Sequence, residues 1–118
     1  MNFCRVLFVC LGNICRSPTA QAIFEKRIAE HGLEDLFEVD SCGTGSWHRG
    51  KMPDSRAIEA AEKRGYSLNH IRARSMQIKD FDNFDYLVAM DRENLKEVER
   101  LLPENFCGNI VLFSSFIK

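Results

Sequence analysis

Cys10 and Arg16 stand at the two ends of one short run, Cys10-Leu11-Gly12-Asn13-Ile14-Cys15-Arg16, and their types at this spacing suit chemistry on a phosphoryl group. A thiolate is a strong nucleophile, and N–H dipoles with a nearby guanidinium favour it over the thiol. The planar fork of Arg16 grips two non-bridging oxygens and stabilises the charge that spreads over them. The residues between complete a cradle. Gly12 and Asn13 tolerate unusual dihedrals, and the amides from Leu11 to Arg16 at the head of a helix make a site for a tetrahedral oxyanion. Ser17 is expected to cap that helix and to donate a hydrogen bond to the Cys10 sulfur, and Pro18 suits its first turn.

Such a loop needs a strand before it and a helix after it. Val6-Leu7-Phe8-Val9 is an apolar run that reads as a buried strand. From Ser17 the positions Ala20, Ile23, Phe24 and Ile28 share one helical stripe, closed by Gly32. A second strand covers 37–41, followed by a Gly-rich loop from Cys42 to Gly50. A second helix starts with Asp54 as its cap, buries Ala57, Ile58 and Ala61, and ends at Gly65. Residues 67–83 read as irregular. Tyr86 to Met90 is a third strand, Asp91 caps a helix with Leu95, Val98, Leu101 and Leu102 inside, Pro103 stops it, and 109–113 is a fourth strand. Strands alternating with helices imply a doubly wound α/β fold: a four-stranded parallel sheet, helices on both faces, and the phosphate loop after strand 1. Ligands of such sheets bind beyond the carboxyl ends of the strands, where Cys10 lies.

The composition narrows the classes. With 118 residues the chain is read as one domain, 1–118, and a net charge of -1 argues against bulk attraction to nucleic acid or an anionic membrane. No run approaches a membrane span and the start lacks a signal-peptide pattern, so a cytoplasmic protein is expected; a monomer is expected as well. Five cysteines without regular spacing fit reduced thiols. A zinc site on Cys10 and Cys15 is the competing reading, but no second Cys or His pair stands at ligand spacing; no metal and no cofactor are expected.

The run V-C-L-G-N-I-C-R-S-P, directly after a strand, resembles the phosphate loop of the low-molecular-weight protein tyrosine phosphatases. The resemblance implies hydrolysis of phosphotyrosine and small aryl phosphomonoesters through a cysteinyl-phosphate intermediate, with Cys10 as nucleophile and Arg16 on the phosphate. It implies that His70, in N-H-I-R-A-R-S, holds Asn13; a solvent-facing loop histidine is the alternative. Trp47 would wall the cleft against a phenyl ring, or fold onto the rim of the sheet. Cys15 resembles a second thiol that traps oxidised Cys10 as a disulfide, the alternative being a small apolar residue packed behind the loop. Arg49, Lys51, Arg72 and Arg74 suggest a positive collar. Asp91, in Ala-Met-Asp, resembles a recurrent family motif, although capping accounts for it.

The resemblance runs from Arg5 to about Leu112 and then departs. Family members carry an Asp-Pro-Tyr loop, whose Asp is the general acid, and a last helix; no Asp-Pro pair occurs here, so the acid is unassigned and the domain is expected to be incomplete at its C-terminus. Loss of the proton donor would cost roughly two to four orders of magnitude and favour good leaving groups. Asp80, Asp82 and Asp85 could substitute only if their segment folded over the cleft. Two rivals remain: an arsenate reductase on the same fold, which needs relay thiols where only Cys107 follows Cys42, and a catalytically impaired module that binds phosphate or phosphotyrosine.

Overall fold

In the computed structural model, which describes residues 3–45 and 48–113, strand β1 (Cys4–Cys10) lies inside the sheet and has neighbours on both sides. Its apolar run is buried because both faces are covered. Alternation along the strand sends Leu7 and Val9 to one side and Val6 and Phe8 to the other. β2 (Phe37–Gly43), β3 (Tyr86–Ala89) and β4 (Asn109–Leu112) complete an all-parallel sheet in the order β2-β1-β3-β4. The pairing of β1 with β2 runs from Cys4 opposite Phe37 to Cys10 opposite Gly43.

Right-handed crossovers set the layers. The chain leaves β1 for β2 in one direction and later leaves β3 for β4 in the other, so helices α1 (Arg16–Glu30) and α4 (Arg92–Leu101) fall on opposite faces. Val6, Phe8 and Val88 pack with Ala20 and Phe24 of α1; Leu7, Val9 and Leu87 pack with Val98 of α4. α2 (Ser55–Lys63) closes on α1 through Ala61, Leu68, Ile71 and Ala22. Two of the expected helix boundaries rest on side chains. Asp54 accepts from the Arg56 N–H at 3.3 Å and Asp91 from the Asn94 N–H at 2.8 Å. Gly32 and Gly65, just beyond α1 and α2, have φ of 67° and 87°, a conformation glycine adopts without a Cβ penalty.

The doubly wound four-stranded sheet agrees with the sequence reading; β2 runs on through Gly43, Leu102 lies beyond α4 and is exposed, and one longer stretch also differs. Residues 67–83 are not irregular throughout: Ser75 bridges to Gly43, and 80–83 form a single-turn helix, α3 (Asp80–Asn83). A four-residue helix is too short to show periodicity. The Asp80 carboxylate, which accepts the Gln77 N–H at 2.7 Å, helps shape the turn.

The two connections that part company at β1 and β3 leave a crevice at the carboxyl ends of these strands. The loop from Cys10 enters it from one side, Asp91 from the other.

Candidate active site

Cys10 is the last residue of β1, and only 4% of it is exposed. The loop beyond it takes a left-handed step at Asn13, φ 57°, a region that Asn enters more readily than most residues with a side chain. The step turns the chain back on the sulfur. The Asn13 N–H donates to Cys10 Sγ at 3.2 Å, and Ser17 Oγ lies 2.9 Å from the same atom. Among the described residues, the N–H groups of Leu11, Gly12, Ile14, Cys15, Arg16 and Ser17 find no acceptor. Unpaired donors at a helix N-terminus are what binds an anion.

Of the two places the sequence suggests for Ser17, cap of α1 and partner of the Cys10 sulfur, it takes the second and not the first. The helix begins at Arg16, Cys15 holds the cap position without a side-chain bond, and the fully buried Ser17 hydroxyl points back to Cys10 and Asn13. Inward bonding wins because Asn13 Nδ2, itself buried, needs an acceptor.

The Asn13 carboxamide is the hub behind the loop. Its Nδ2 donates to Ser17 Oγ and to Ser41 Oγ, each at 2.9 Å, and its Oδ1 accepts the Arg74 N–H at 3.0 Å. A left-handed residue costs about 1–2 kcal/mol, and buried bonds worth about 1 kcal/mol apiece offset it. His70 does not hold Asn13. Its Nε2 lies 2.8 Å from Glu25 on α1, and Glu25 accepts from Gln21, which in turn accepts from Ser41. The ring stands at the far end of a chain that begins at Asn13, because Gln21 and Ser41 fill the space between.

Ser41 and Gly43 were not singled out in the sequence. Gly43 is where β2 meets the loop: Thr44 N–H donates to Cys10 O at 2.8 Å and Gly45 N–H to Leu11 O at 2.9 Å. A Cβ on Gly43 would stand 2.7 Å from Leu11 O and 3.2 Å from Asn13 N, so only glycine admits the loop this closely. A glycine ending a strand is the available signal for such an approach.

Arg16 projects at the mouth, about half exposed, and its Nη1 donates to Asp91 Oδ2 at 2.8 Å. Burial pushes the Asp91 carboxyl up, but the Asn94 N–H and the Arg16 guanidinium outweigh it, and the group is held below the usual carboxylate range. Asp91 therefore does more than cap α4.

Cys15 is exposed at the edge of the loop, where a small apolar residue packed behind it would not be. Trp47 lies outside the described residues. Asp80 and Asp85 are occupied elsewhere. Asp80 is buried against Arg74, and Asp85 accepts the Arg5 N–H at 2.8 Å, at the amino end of β1 opposite to Cys10. Cys42, one strand over, is fully buried; desolvation pushes its thiol far up despite the nearby Arg74, which leaves it inert.

A parallel α/β sheet whose first strand ends in a buried cysteine sulfur, hydrogen-bonded at the head of an amide-lined turn with an arginine at its mouth, defines the cysteine phosphate-loop class of enzyme. Comparison with known proteins narrows the class. The sequence profile described as "Low molecular weight phosphotyrosine protein phosphatase" matches residues 5–118. The protein of that name from Schizosaccharomyces pombe is 47% identical over 113 residues, which cover 95% of this chain and 72% of the relative. A low molecular weight protein-tyrosine-phosphatase of Bacillus subtilis is 49% identical over 90 residues, 76% of this chain and 58% of the relative. The crystal structure of a protein tyrosine phosphatase from Entamoeba histolytica superimposes with a TM-score of 0.92 at 41% identity, over 98% of this chain and 73% of that one. The chain belongs to the low-molecular-weight phosphotyrosine protein phosphatase family.

Proposed function

We propose that this domain hydrolyses phosphotyrosine and small aryl phosphomonoesters in two steps, through a phosphate carried on Cys10. The observation that carries the reading is the buried Cys10 sulfur, with the Asn13 N–H donating to it and the Ser17 hydroxyl 2.9 Å away, at the start of a run of amides that find no acceptor among the described residues. As the attacking thiolate the sulfur has no proton to give and accepts from both neighbours, and the two bonds fix its aim. Cys10 Sγ attacks phosphorus as the bond from phosphorus to the leaving oxygen breaks. That oxygen takes the electron pair and then a proton from water, and aryl oxygens depart most readily because they are the better leaving groups. Water then attacks phosphorus, the S–P bond breaks, and inorganic phosphate and the thiolate are released. The Arg16 guanidinium and the amides of Leu11, Gly12, Ile14, Cys15 and Arg16 hold the three equatorial oxygens throughout, while the Asn13 N–H, read from the sequence as one of these donors, stays on the sulfur.

Several features support the wider reading. All five cysteines are unpaired, as suits a reducing compartment and a cytoplasmic site of action. No described helix is long and apolar enough to cross a membrane. The substrate is a phosphotyrosyl protein or a small aryl phosphate, and the domain acts as a monomer. Cys15, exposed beside the nucleophile, is the second thiol of a protective disulfide.

The deciding experiment is Cys10→Ser. Turnover of p-nitrophenyl phosphate is expected to vanish while vanadate still binds, and retained turnover removes Cys10 from its role. Rapid-quench kinetics on the unaltered protein tests the rival of a binding module: a phosphoenzyme burst is expected, and saturable binding without product would favour the module.

A further inference from the structure

Arg74 turns its main chain to the site and its side chain away from it. Its N–H is the donor to Asn13 Oδ1 at 3.0 Å, and its carbonyl accepts the Gly43 N–H at 2.8 Å, so residues 74–76 lie beside the end of β2. The guanidinium reaches Asp80 with two nitrogens, both at 3.1 Å, and Asp40 with Nε at 3.0 Å. The Asp80 side chain is only 3% exposed. Asp40 also accepts the Ser41 N–H at 2.8 Å. One cation thus links both outer partners of the Asn13 carboxamide: its own N–H holds Oδ1, and through Asp40 it ties Ser41, which takes Nδ2.

We propose that Arg74 is a positioning residue for the nucleophile, its guanidinium clamped by Asp80 and Asp40 so that the Arg74 N–H and Ser41 hold Asn13 in the left-handed step that serves Cys10. The proposal rests on the reading of Cys10 as nucleophile. The physical case is one of geometry over energy. A buried ion pair adds little net stability because desolvation nearly cancels its attraction, so the value of this one lies in where it fixes its neighbours. A planar fork against a carboxylate has one good arrangement, whereas an ammonium has many. The chain of consequence is short: guanidinium to amide 74, amide 74 to the Asn13 side chain, Asn13 to the sulfur. Displacement by an ångström at a reacting centre is enough to cost on the order of a hundredfold in rate.

The test compares Arg74→Lys, Asp40→Asn and the paired change Arg74→Gln with Asp80→Asn, which leaves no buried charge alone. Each is assayed for p-nitrophenyl phosphate turnover, for inactivation by iodoacetate at neutral pH with and without inorganic phosphate, and for thermal melting. In the paired variant kcat and the iodoacetate rate are expected to fall together by about tenfold or more while KM moves by less than about threefold, as lost alignment without lost binding requires. Arg74→Lys keeps the charge without the fork and falls between the paired variant and the parent. A purely structural role lowers the melting temperature alone, so a folded paired variant with parental kcat and iodoacetate rate overturns the proposal. If the paired variant does not fold, the half-exposed Asp40→Asn decides: a lower kcat supports the proposal and an unchanged one overturns it. A parent protein with no phosphoenzyme burst and no phosphate-protected reaction at Cys10 would refute the reading of the nucleophile instead.

Discussion

Arg16 donates from Nη1 to Asp91 Oδ2 at 2.8 Å while Asp91 Oδ1 takes the Asn94 N–H at the start of α4. One carboxylate therefore joins the loop after β1 to the helix after β3, across the crevice at the carboxyl ends of the sheet. The carboxylate fixes the direction of the guanidinium, which in the proposed reaction lowers the cost of gripping a phosphoryl group.

Asp91→Asn separates the two duties. Asparagine caps a helix about as well as aspartate, so stability is expected to change by less than about 0.5 kcal/mol. Arg16 loses its charged partner, and kcat/KM for p-nitrophenyl phosphate should fall by about tenfold through looser orientation. Steady-state kinetics beside a urea denaturation curve checks both halves.

The same pair has a defined pH behaviour. Asp91 is held below its ordinary value in the folded protein, so its contribution is fully present above the unfolded carboxylate pKa of about 4 and is lost as pH falls through the lower folded value. With both side chains nearly half exposed, the contribution is about 0.5 kcal/mol or less. The stability difference between the parent and Asp91→Asn, followed by denaturation from pH 7 downward, should shrink toward zero in acid; a difference that grows with acid contradicts the pairing.

Gly43→Ala places a methyl where the loop backbone passes, 2.7 Å from Leu11 O. Overpacking of this kind costs about 1–3 kcal/mol. Because the clash falls on the loop itself, vanadate binding should weaken along with the melting temperature. An alanine variant that binds vanadate as tightly as the parent would show that the loop yields freely.

Mild peroxide should convert Cys10 to a sulfenic acid, with the hydroxyl oxygen supplied by the peroxide and water as by-product; Cys15 then attacks that sulfur and expels water to form a disulfide. Peptide mass spectrometry is expected to find a bridge between residues 10 and 15, and activity should return with dithiothreitol. In Cys15→Ser the same treatment should yield irreversibly oxidised Cys10. Reversible inactivation in that variant would assign protection to another group.

The turn from β1 into α1 was legible because its parts are contiguous. Cys10, the turn residues and Arg16 lie within one strand-to-helix connection, so type and spacing alone fix what they form, and the apolar runs with their intervening helical stripes were enough for the parallel sheet. Asp54, Asp91, Gly32 and Gly65 marked helix ends for equally local reasons.

What holds the loop is another matter. Ser41 and Arg74 meet Asn13 from 28 and 61 residues away, and Gly43 meets Cys10 only because β1 and β2 pair in one register. Resemblance pointed to His70 for the post behind Asn13, yet the side chains of Gln21 and Glu25 on α1 stand between them. Ser17, read both as a cap and as a partner of the Cys10 sulfur, keeps only the second place because a buried amide claims its hydroxyl from the inside. Chain-local propensity determined the cysteine at the end of β1 and the amide-lined turn after it; which distant groups satisfy the buried donors of that turn was decided by strand register and helix packing, because burial forces each polar atom to pair with whatever the fold brings within reach.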